Sequence, residues 1–336
     1  TVESLGCDCE VLNYSNRELD DRELGTRFSL SPSGAVRYFL RHGFERRRVA
    51  AFARFAETNL NLTRKLNREA LVEEAKTLDC VLIGSDQVFN PRVNGHDPVF
   101  LGEGVADVAR VASYAASLGD ATVETIAACD TGAAERLAAF TGLSVREPSS
   151  MEVLQGMGLA PVFMPDPTLL LSDDDWARFA SRDGLASVPN EYVLLYTLNS
   201  EQKLLDRAKD VAGRLGVPVV CLHYNTKDFT GVINVRDIGP DAFLELVRRA
   251  AFVCTDSFHG ACFSLNFNKP FVVKTSEAAV QSNVRITDLL ARYDVEGCLY
   301  TDGMPTTSSV DYGGANQKLA RDRADARSFI AECVGL

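Results

Sequence analysis

Five short stretches carry residue types that bind anions or move protons, and each adjoins an apolar run. The first is Ile83-Gly84-Ser85-Asp86-Gln87-Val88-Phe89-Asn90-Pro91. Open α/β sheets hold ligands outside the carboxyl ends of their strands, where this polar group falls. Gly84 permits close backbone approach, and Ser85, Asp86, Gln87 and Asn90 offer a donor, a base and two amides. A polar turn whose Asp caps the next helix explains the same residues, and both readings stand. The second stretch, Val111-Ala112-Ser113-Tyr114-Ala115-Ala116-Ser117-Leu118-Gly119, ends a strand in small and hydroxyl residues. It suits either a ligand at Ser113 and Tyr114 or close helix packing.

The third, Ser144-Val145-Arg146-Glu147-Pro148-Ser149-Ser150, puts an Arg between a strand and a helix, where backbone N–H groups also point at anions. An Arg146–Glu147 surface pair is the alternative. The fourth, Thr255-Asp256-Ser257-Phe258-His259-Gly260-Ala261, stops an apolar strand and starts a helix, aiming a positive helix end outward. His259 is one of only four His. Its ordinary pKa lets it serve as acid or base, against the alternative of a buried structural imidazole. The fifth, Gln281-Ser282-Asn283-Val284-Arg285-Ile286-Thr287-Asp288-Leu289-Leu290, is expected to precede an amphipathic helix, and its Arg285, near Asn283, meets either an anion or solvent. His42, His96 and His223 have no comparable setting.

Alternating short apolar runs and helical periodicities must position these groups, and that alternation implies βαβ units on a parallel sheet. Strands are expected at Cys9–Tyr14, Cys80–Ile83, Ala109–Tyr114, Leu143–Val145, Tyr192–Leu198, Val217–Leu222, Phe252–Thr255 and Pro270–Lys274. Helices are expected over Ala35–Leu78, Thr122–Phe140, Met151–Met157, Gln202–Leu215, Pro240–Ala250, Gly260–Asn266 and Asn316–Val334. The run Arg46-Arg47-Arg48 reads as a solvated face. The stretch Ser187-Val188-Pro189-Asn190 reads as a linker. The expected architecture is α/β with two Rossmann-like domains facing a cleft, 1–187 and 188–336, the last helix returning to the first domain.

The 336 residues are 46% hydrophobic and 24% charged, with net charge −11. That acidity argues against non-specific nucleic-acid or anionic-membrane binding. No apolar run approaches the ~18 residues a membrane span needs, and no signal peptide is visible. Nine scattered Cys read as reduced core thiols, so the expected location is the cytoplasm, with at most peripheral membrane contact. The P-loop, G-x-G-x-x-G, H-E-x-x-H and G-x-S-x-G patterns are missing, which leaves triphosphate hydrolysis, zinc proteolysis and serine esterase chemistry unsupported.

Taken in order, G-S-D-Q-V-F-N-P, S-Y-A-A-S-L-G, V-R-E, D-P-T-L-L-L and T-D-S-F-H-G with the later K-P-F resemble the polysaccharide pyruvyltransferase family, from about Cys80 to Tyr293. The resemblance implies a GT-B type enzyme that moves the enolpyruvyl unit of phosphoenolpyruvate onto a sugar as a pyruvate ketal. It implies no metal and no cofactor beyond that co-substrate, with a sugar or lipid-linked oligosaccharide as acceptor. The first domain would take the acceptor and the second the donor. The family's His and its R-E arginine fall on His259 and Arg146. Some members carry Arg two residues before the His, where Ser257 stands here, and Arg285 would replace that charge. Members also open with a strand and an N-Y-G-A-like turn, and this chain is expected to start beyond it. His259 as acid, Asp86 as base and Arg146 and Arg285 as anion contacts complete the expected site. A nucleotide-sugar glycosyltransferase and a non-catalytic sugar- or anion-binding protein are the competing functions.

Overall fold

The computed structural model describes residues 1–19, 32–225, 227–275, 280–304 and 310–336, without the side chains of 32–42 and 280–282. His42, Gln281 and Ser282 therefore lie outside the described side chains. In chain order the elements are α1 (Pro32–Asn59), α2 (Arg68–Ala75), β1 (Cys80–Ile83), α3 (Pro91–Asn94), β2 (Arg110–Ser113), α4 (Val123–Cys129) and α5 (Ala133–Ala138). Then follow β3 (Ser144–Val145), α6 (Pro148–Gly156), β4 (Val162–Phe163), α7 (Asp173–Ala177), β5 (Val193–Tyr196), α8 (Gln202–Leu215), β6 (Val219–Leu222) and β7 (Ile233–Val235). The chain ends with α9 (Pro240–Arg249), β8 (Phe252–Thr255), α10 (Phe258–Asn266), β9 (Phe271–Val273), α11 (Val280–Arg292) and α12 (Tyr312–Val334).

Two units emerge. The first holds the described residues of Thr1–Glu23, Leu60–Leu170 and Ala320–Leu336, and the second those of Leu24–Asn59 and Leu171–Leu319. This division differs from the boundary expected at residue 187, since α1 belongs with the later half of the chain.

In the first unit β1 and β2 pair in parallel from Cys80↔Arg110 to Ile83↔Ser113, and β3 pairs β4 likewise. Parallel bridges Ala112↔Gly142 and Ala116↔Val145 join the two pairs in the order β1-β2-β3-β4. Phe89, Val111, Leu118, Ile126, Leu137, Val145 and Leu154 fill its core, each large side chain stabilising by about 1.5–3 kcal/mol.

The second unit carries a five-stranded parallel sheet ordered β7-β6-β5-β8-β9. Chain order runs outward from β5 to β7, then returns to β8 beside β5, so the β5–β8 seam is the topological switch point. Helix α8 shows how local pattern builds this layer. Its Leu204, Leu205, Ala208, Val211 and Ala212 share one buried face, and Gly216 ends it at φ 70°. That face packs with Val193, Leu195, Val219, Cys221, Phe252 and Cys254. Cys221 and Cys254 are free thiols among five buried ones, and burial pushes the Cys221 thiol up to about 12.

Several expected elements change. Cys9–Tyr14 forms only the bridges Val11↔Leu62 and Tyr14↔Leu66. The helix expected over Ala35–Leu78 breaks after Asn59 so that 62–66 can make those bridges, and Asn67 recaps α2 by accepting from the Ala70 N–H. The helix expected over Thr122–Phe140 splits at Asp130, whose backbone is extended and whose carboxylate accepts the Gly132 N–H. Strands β4 and β7 were not expected at all; two and three residues are too short for a period-2 pattern.

Candidate active site

In the first unit the chain beyond β1 and β2 adopts an unusual backbone. Asp86 has φ 63° and Ala115 φ 50°, left-handed conformations that cost an L-residue roughly 1–2 kcal/mol. Asp86 and Ala116 form a parallel bridge, and the Ser117 and Val88 N–H groups both donate to the Asp86 carbonyl at 2.8 Å. Such local strain, held by surrounding bonds, gathers at functional sites.

Arg146, just past β3, is the hub. Its Nη1 donates to Asp166 Oδ2 at 2.7 Å, its Nη2 to Asp86 Oδ1 at 2.9 Å and its Nε to Glu147 Oε1 at 2.8 Å. Ser85 Oγ lies 3.4 Å from both Arg146 Nη1 and Asp166 Oδ2. The Arg146 side chain is 1% exposed, as are Asp166 and Glu147 nearly so, whereas Asp86 is 64% exposed. Burial alone would lower the Arg146 pKa, but Asp166, Glu147 and Asp86 outweigh it and raise the value. Arg146 was expected to clamp an anion; in this structure its guanidinium meets three carboxylates of the chain itself. One cation among three carboxylates leaves a negative cluster that repels phosphate, and the guanidinium fork is already filled.

The other candidates of this unit divide by role. Asn90 is buried and caps α3, accepting from Arg92 N–H while donating to Gln87 Oε1 and Asp120 Oδ1. Ser113 Oγ donates to the Ser144 carbonyl and accepts the Ser144 N–H, which locks β2 to β3. Tyr114 is buried and donates to the Pro165 carbonyl; burial and the Asp166 charge raise its phenol. These three brace the loops beneath Asp86. Sequence reasoning offered the Arg146–Glu147 pair only as a surface contact, whereas it is buried, and missed Asp166 as a partner. The D-P-T signal was visible, and Asp166 also accepts the Thr168 N–H and hydroxyl.

In the second unit the candidates gather at the switch point. Asp256, 8% exposed, ends β8 and reaches across to the loop after β5. Its Oδ1 accepts the Leu198 N–H at 2.7 Å, and Oδ2 accepts the Asn199 N–H at 2.9 Å and the Thr197 hydroxyl at 3.0 Å. Asp256 thus braces a loop with bonds it cannot also give a ligand. Ser257 caps α10 by accepting the Gly260 N–H at 3.3 Å. His259 follows at the first turn, half-buried, with its ring 5.4 Å from that of Phe258. The Arg285 guanidinium lies 5.7 Å from the same Phe258 ring, so α11 brings a cation beside the α10 start. Asn283 sits two residues earlier on α11, its carbonyl accepting from Thr287 Oγ1. Sequence reasoning also missed Lys274, 8% exposed just past β9, whose Nζ lies 3.2 Å from Glu201 Oε2. Its place at a strand's carboxyl end was the available signal.

Among the described residues no group of three or more His, Cys, Asp or Glu is placed to share a metal ion, and no helix is long and apolar enough to cross a membrane. Solved structures similar to this chain include a UDP-GlcNAc 2-epimerase from Neisseria meningitidis bound to UDP-GlcNAc. It is 12% identical at TM-score 0.48, over 96% of this chain and 86% of that one. The UDP-GlcNAc 2-epimerase of Methanocaldococcus jannaschii is 11% identical at TM-score 0.47, over 96% and 85%. Anabaena Alr3699/HepE in complex with UDP-glucose is 14% identical at TM-score 0.41, over 83% of each chain. At these values none of the three bears on what this chain binds. No curated protein matches it. The family model "Polysaccharide pyruvyl transferase" matches residues 3–276, which include the Arg146 cluster, Asp256 to His259 and Lys274 but end before Asn283 and Arg285. The chain belongs to the polysaccharide pyruvyl transferase family.

Proposed function

We propose that this chain transfers the enolpyruvyl unit of phosphoenolpyruvate to a sugar and closes it to a pyruvate ketal on a cell-surface glycan precursor. Family membership makes it a sugar-modifying transferase; donor and product are the proposal's own. The observation that supports it best is the α10 start, where His259, Arg285 and the helix's positive end share one strand terminus.

Phosphoenolpyruvate brings a phosphate and a carboxylate, so it needs cations. With Arg146 committed to carboxylates, that duty passes to Arg285, to Lys274 and to the α10 N–H groups. His259 donates a proton to the methylene carbon, which leaves an oxocarbenium-like centre at C2. A sugar hydroxyl adds there as Asp86 accepts its proton, and a second hydroxyl then displaces phosphate. Of the two hydroxyl protons, one is balanced by that on the new methyl group and the other leaves with phosphate. Arg146 acts as a positioning residue that holds Asp86 in its left-handed turn.

Thermal shift is the test, with phosphoenolpyruvate beside inorganic phosphate, UDP and GDP. A ligand at ~100 times its Kd adds about 2.7 kcal/mol. Stabilisation by phosphoenolpyruvate beyond phosphate, reduced in Arg285→Ala and kept in Arg146→Lys, is the expected result. Response to a nucleoside diphosphate alone would overturn the reading.

A further inference from the structure

Within the second unit, the carboxyl ends of β6 and β7 border a shallow, open pocket whose cavity volume is about 40 Å³. Tyr224 and Asn225 form its floor after β6, and Arg236 and Asp237 its side after β7. Phe44, Glu45 and Arg48 of α1 close the opposite wall. Of the basic run that reads as a solvated face in sequence, Arg46 and Arg47 are exposed and Arg48 lines the pocket.

Its cations are not equivalent. Arg47 donates to Asp237 Oδ2 at 2.8 Å and lies over the Phe44 ring. Arg236 pairs with Asp228 and lies over the other reach of Phe44, at 5.0 Å. Arg48 instead stacks over the Tyr224 ring at 5.0 Å, and among the described residues no carboxylate stands in ion-pair range of it. Tyr224 is 44% exposed. The pocket thus offers one uncommitted planar fork, a phenol, an amide and two carboxylates. That set suits a small hydroxylated ligand carrying one negative group.

The pocket is also joined to the switch point. Asn225 Nδ2 donates to Ser200 Oγ at 2.6 Å, and the Ser200 N–H donates to Thr197 Oγ1, which in turn donates to Asp256. The Tyr196 side chain interacts with both Tyr224 and Ser257. A ligand on Tyr224 and Asn225 would press on the residues that hold the α10 start.

We propose that this pocket is a subsite for an anionic sugar residue, its charged group on the Arg48 guanidinium and its hydroxyls on Asn225 and the lining carboxylates. The inference rests on the reading that the protein acts on a glycan. Saturation-transfer NMR on the full chain tests it, with glucuronate, glucose 1-phosphate, glucose, inorganic phosphate and phosphoenolpyruvate as probes. Glucuronate or glucose 1-phosphate should bind more tightly than glucose, and Arg48→Ala should weaken the charged sugar by about tenfold or more. Arg48→Lys should restore part of the loss, and Asn225→Ala should weaken glucose as well. Three outcomes overturn the proposal: no sugar binding in the unaltered protein, inorganic phosphate competing as well as a charged sugar, or Arg48→Ala removing the phosphoenolpyruvate signal too. If phosphoenolpyruvate fails to bind while charged sugars bind through Arg48, the proposed donor falls and the subsite stands.

Discussion

The buried Arg146 guanidinium donates across 2.9 Å to an Asp86 carboxylate that is itself 64% exposed. The pair joins the interior of the first unit to its surface, and its two ends should respond differently to mutation. Removing Asp86 takes away one partner of three, at a solvent-exposed position where an ion pair is worth about 0–1 kcal/mol. Removing Arg146 leaves Asp166 and Glu147 buried without their cation, which costs about 3–5 kcal/mol.

Asp86→Ala should therefore keep its denaturation midpoint near that of the unaltered protein while losing ~10²–10⁴-fold in turnover. Arg146→Ala should lose stability heavily, and Arg146→Lys should keep the charge but not the three-way fork. Guanidinium titration followed beside phosphate release separates them. Equal stability losses for Asp86→Ala and Arg146→Ala would show that the fork does not anchor this cluster.

Gly260 explains the last residue of S-F-H-G. A Cβ there would lie 2.4 Å from Thr255 Oγ1 and 3.0 Å from Tyr196 Cδ1, so α10 starts pressed against the ends of β8 and β5. Ala is normally better than Gly inside a helix by up to ~1 kcal/mol. Here Gly260→Ala should reverse that sign, destabilise by about 1–3 kcal/mol through overpacking and shift His259. A melting temperature equal to or above that of the unaltered protein would refute the close approach.

Much of this arrangement was legible from residue order. The strand ends that carry Gly84-Ser85-Asp86, Arg146 and Asp256-Ser257 were visible because apolar runs stop abruptly at polar ones, and β8 fell at Phe252–Thr255 as expected. What could not be read is who partners whom. The pairing of Arg146 with Asp166 joins positions twenty residues apart through the fold, and the short range of a motif gives no sign of it. The membership of α1 in the second unit was hidden for the same reason, since only tertiary packing on Phe44 and Arg48 reveals it. Periodicity also overran the break after Asn59, because it registers apolar spacing and not where backbone N–H groups find partners.

Asp256 tests the brace at the switch point. Asp256→Asn keeps its shape but loses the charge, and one of its two terminal atoms becomes a donor facing a donor. The Leu198 or Asn199 N–H then lacks an acceptor, at a cost of about 1–3 kcal/mol. Faster amide exchange at Leu198 and Asn199, with little change in the first unit, is the expected signature. Unchanged exchange at both amides would remove the bracing role.

His223 should make the second unit sensitive to mild acid. It is fully buried; its Nδ1 accepts the Asn225 N–H at 3.2 Å, so Nε2 carries the proton and donates to Asn234 Oδ1 at 2.9 Å. Burial is the largest influence and lowers its pKa below 6.5; the Asn234 bond pulls upward by less, and the nearby Arg236 charge adds the smallest, downward effect. The unfolded chain, with an ordinary His, binds a proton more readily than the folded one. Its contribution to stability is therefore complete above about pH 6.5 and is lost as pH falls toward the depressed folded value, at ~1.4 kcal/mol per unit at most. Arg236 faces the ring and Asp228 faces Arg236, so neither supplies a carboxylate to the imidazolium directly. His223→Gln can keep a hydrogen bond to Asn234 without titrating. Denaturation midpoints at closely spaced pH values between 5 and 8 should fall more steeply below 6.5 in the unaltered protein than in His223→Gln. Parallel curves for the two proteins would mean that the imidazole is charged in the folded state or that its proton is not coupled to folding.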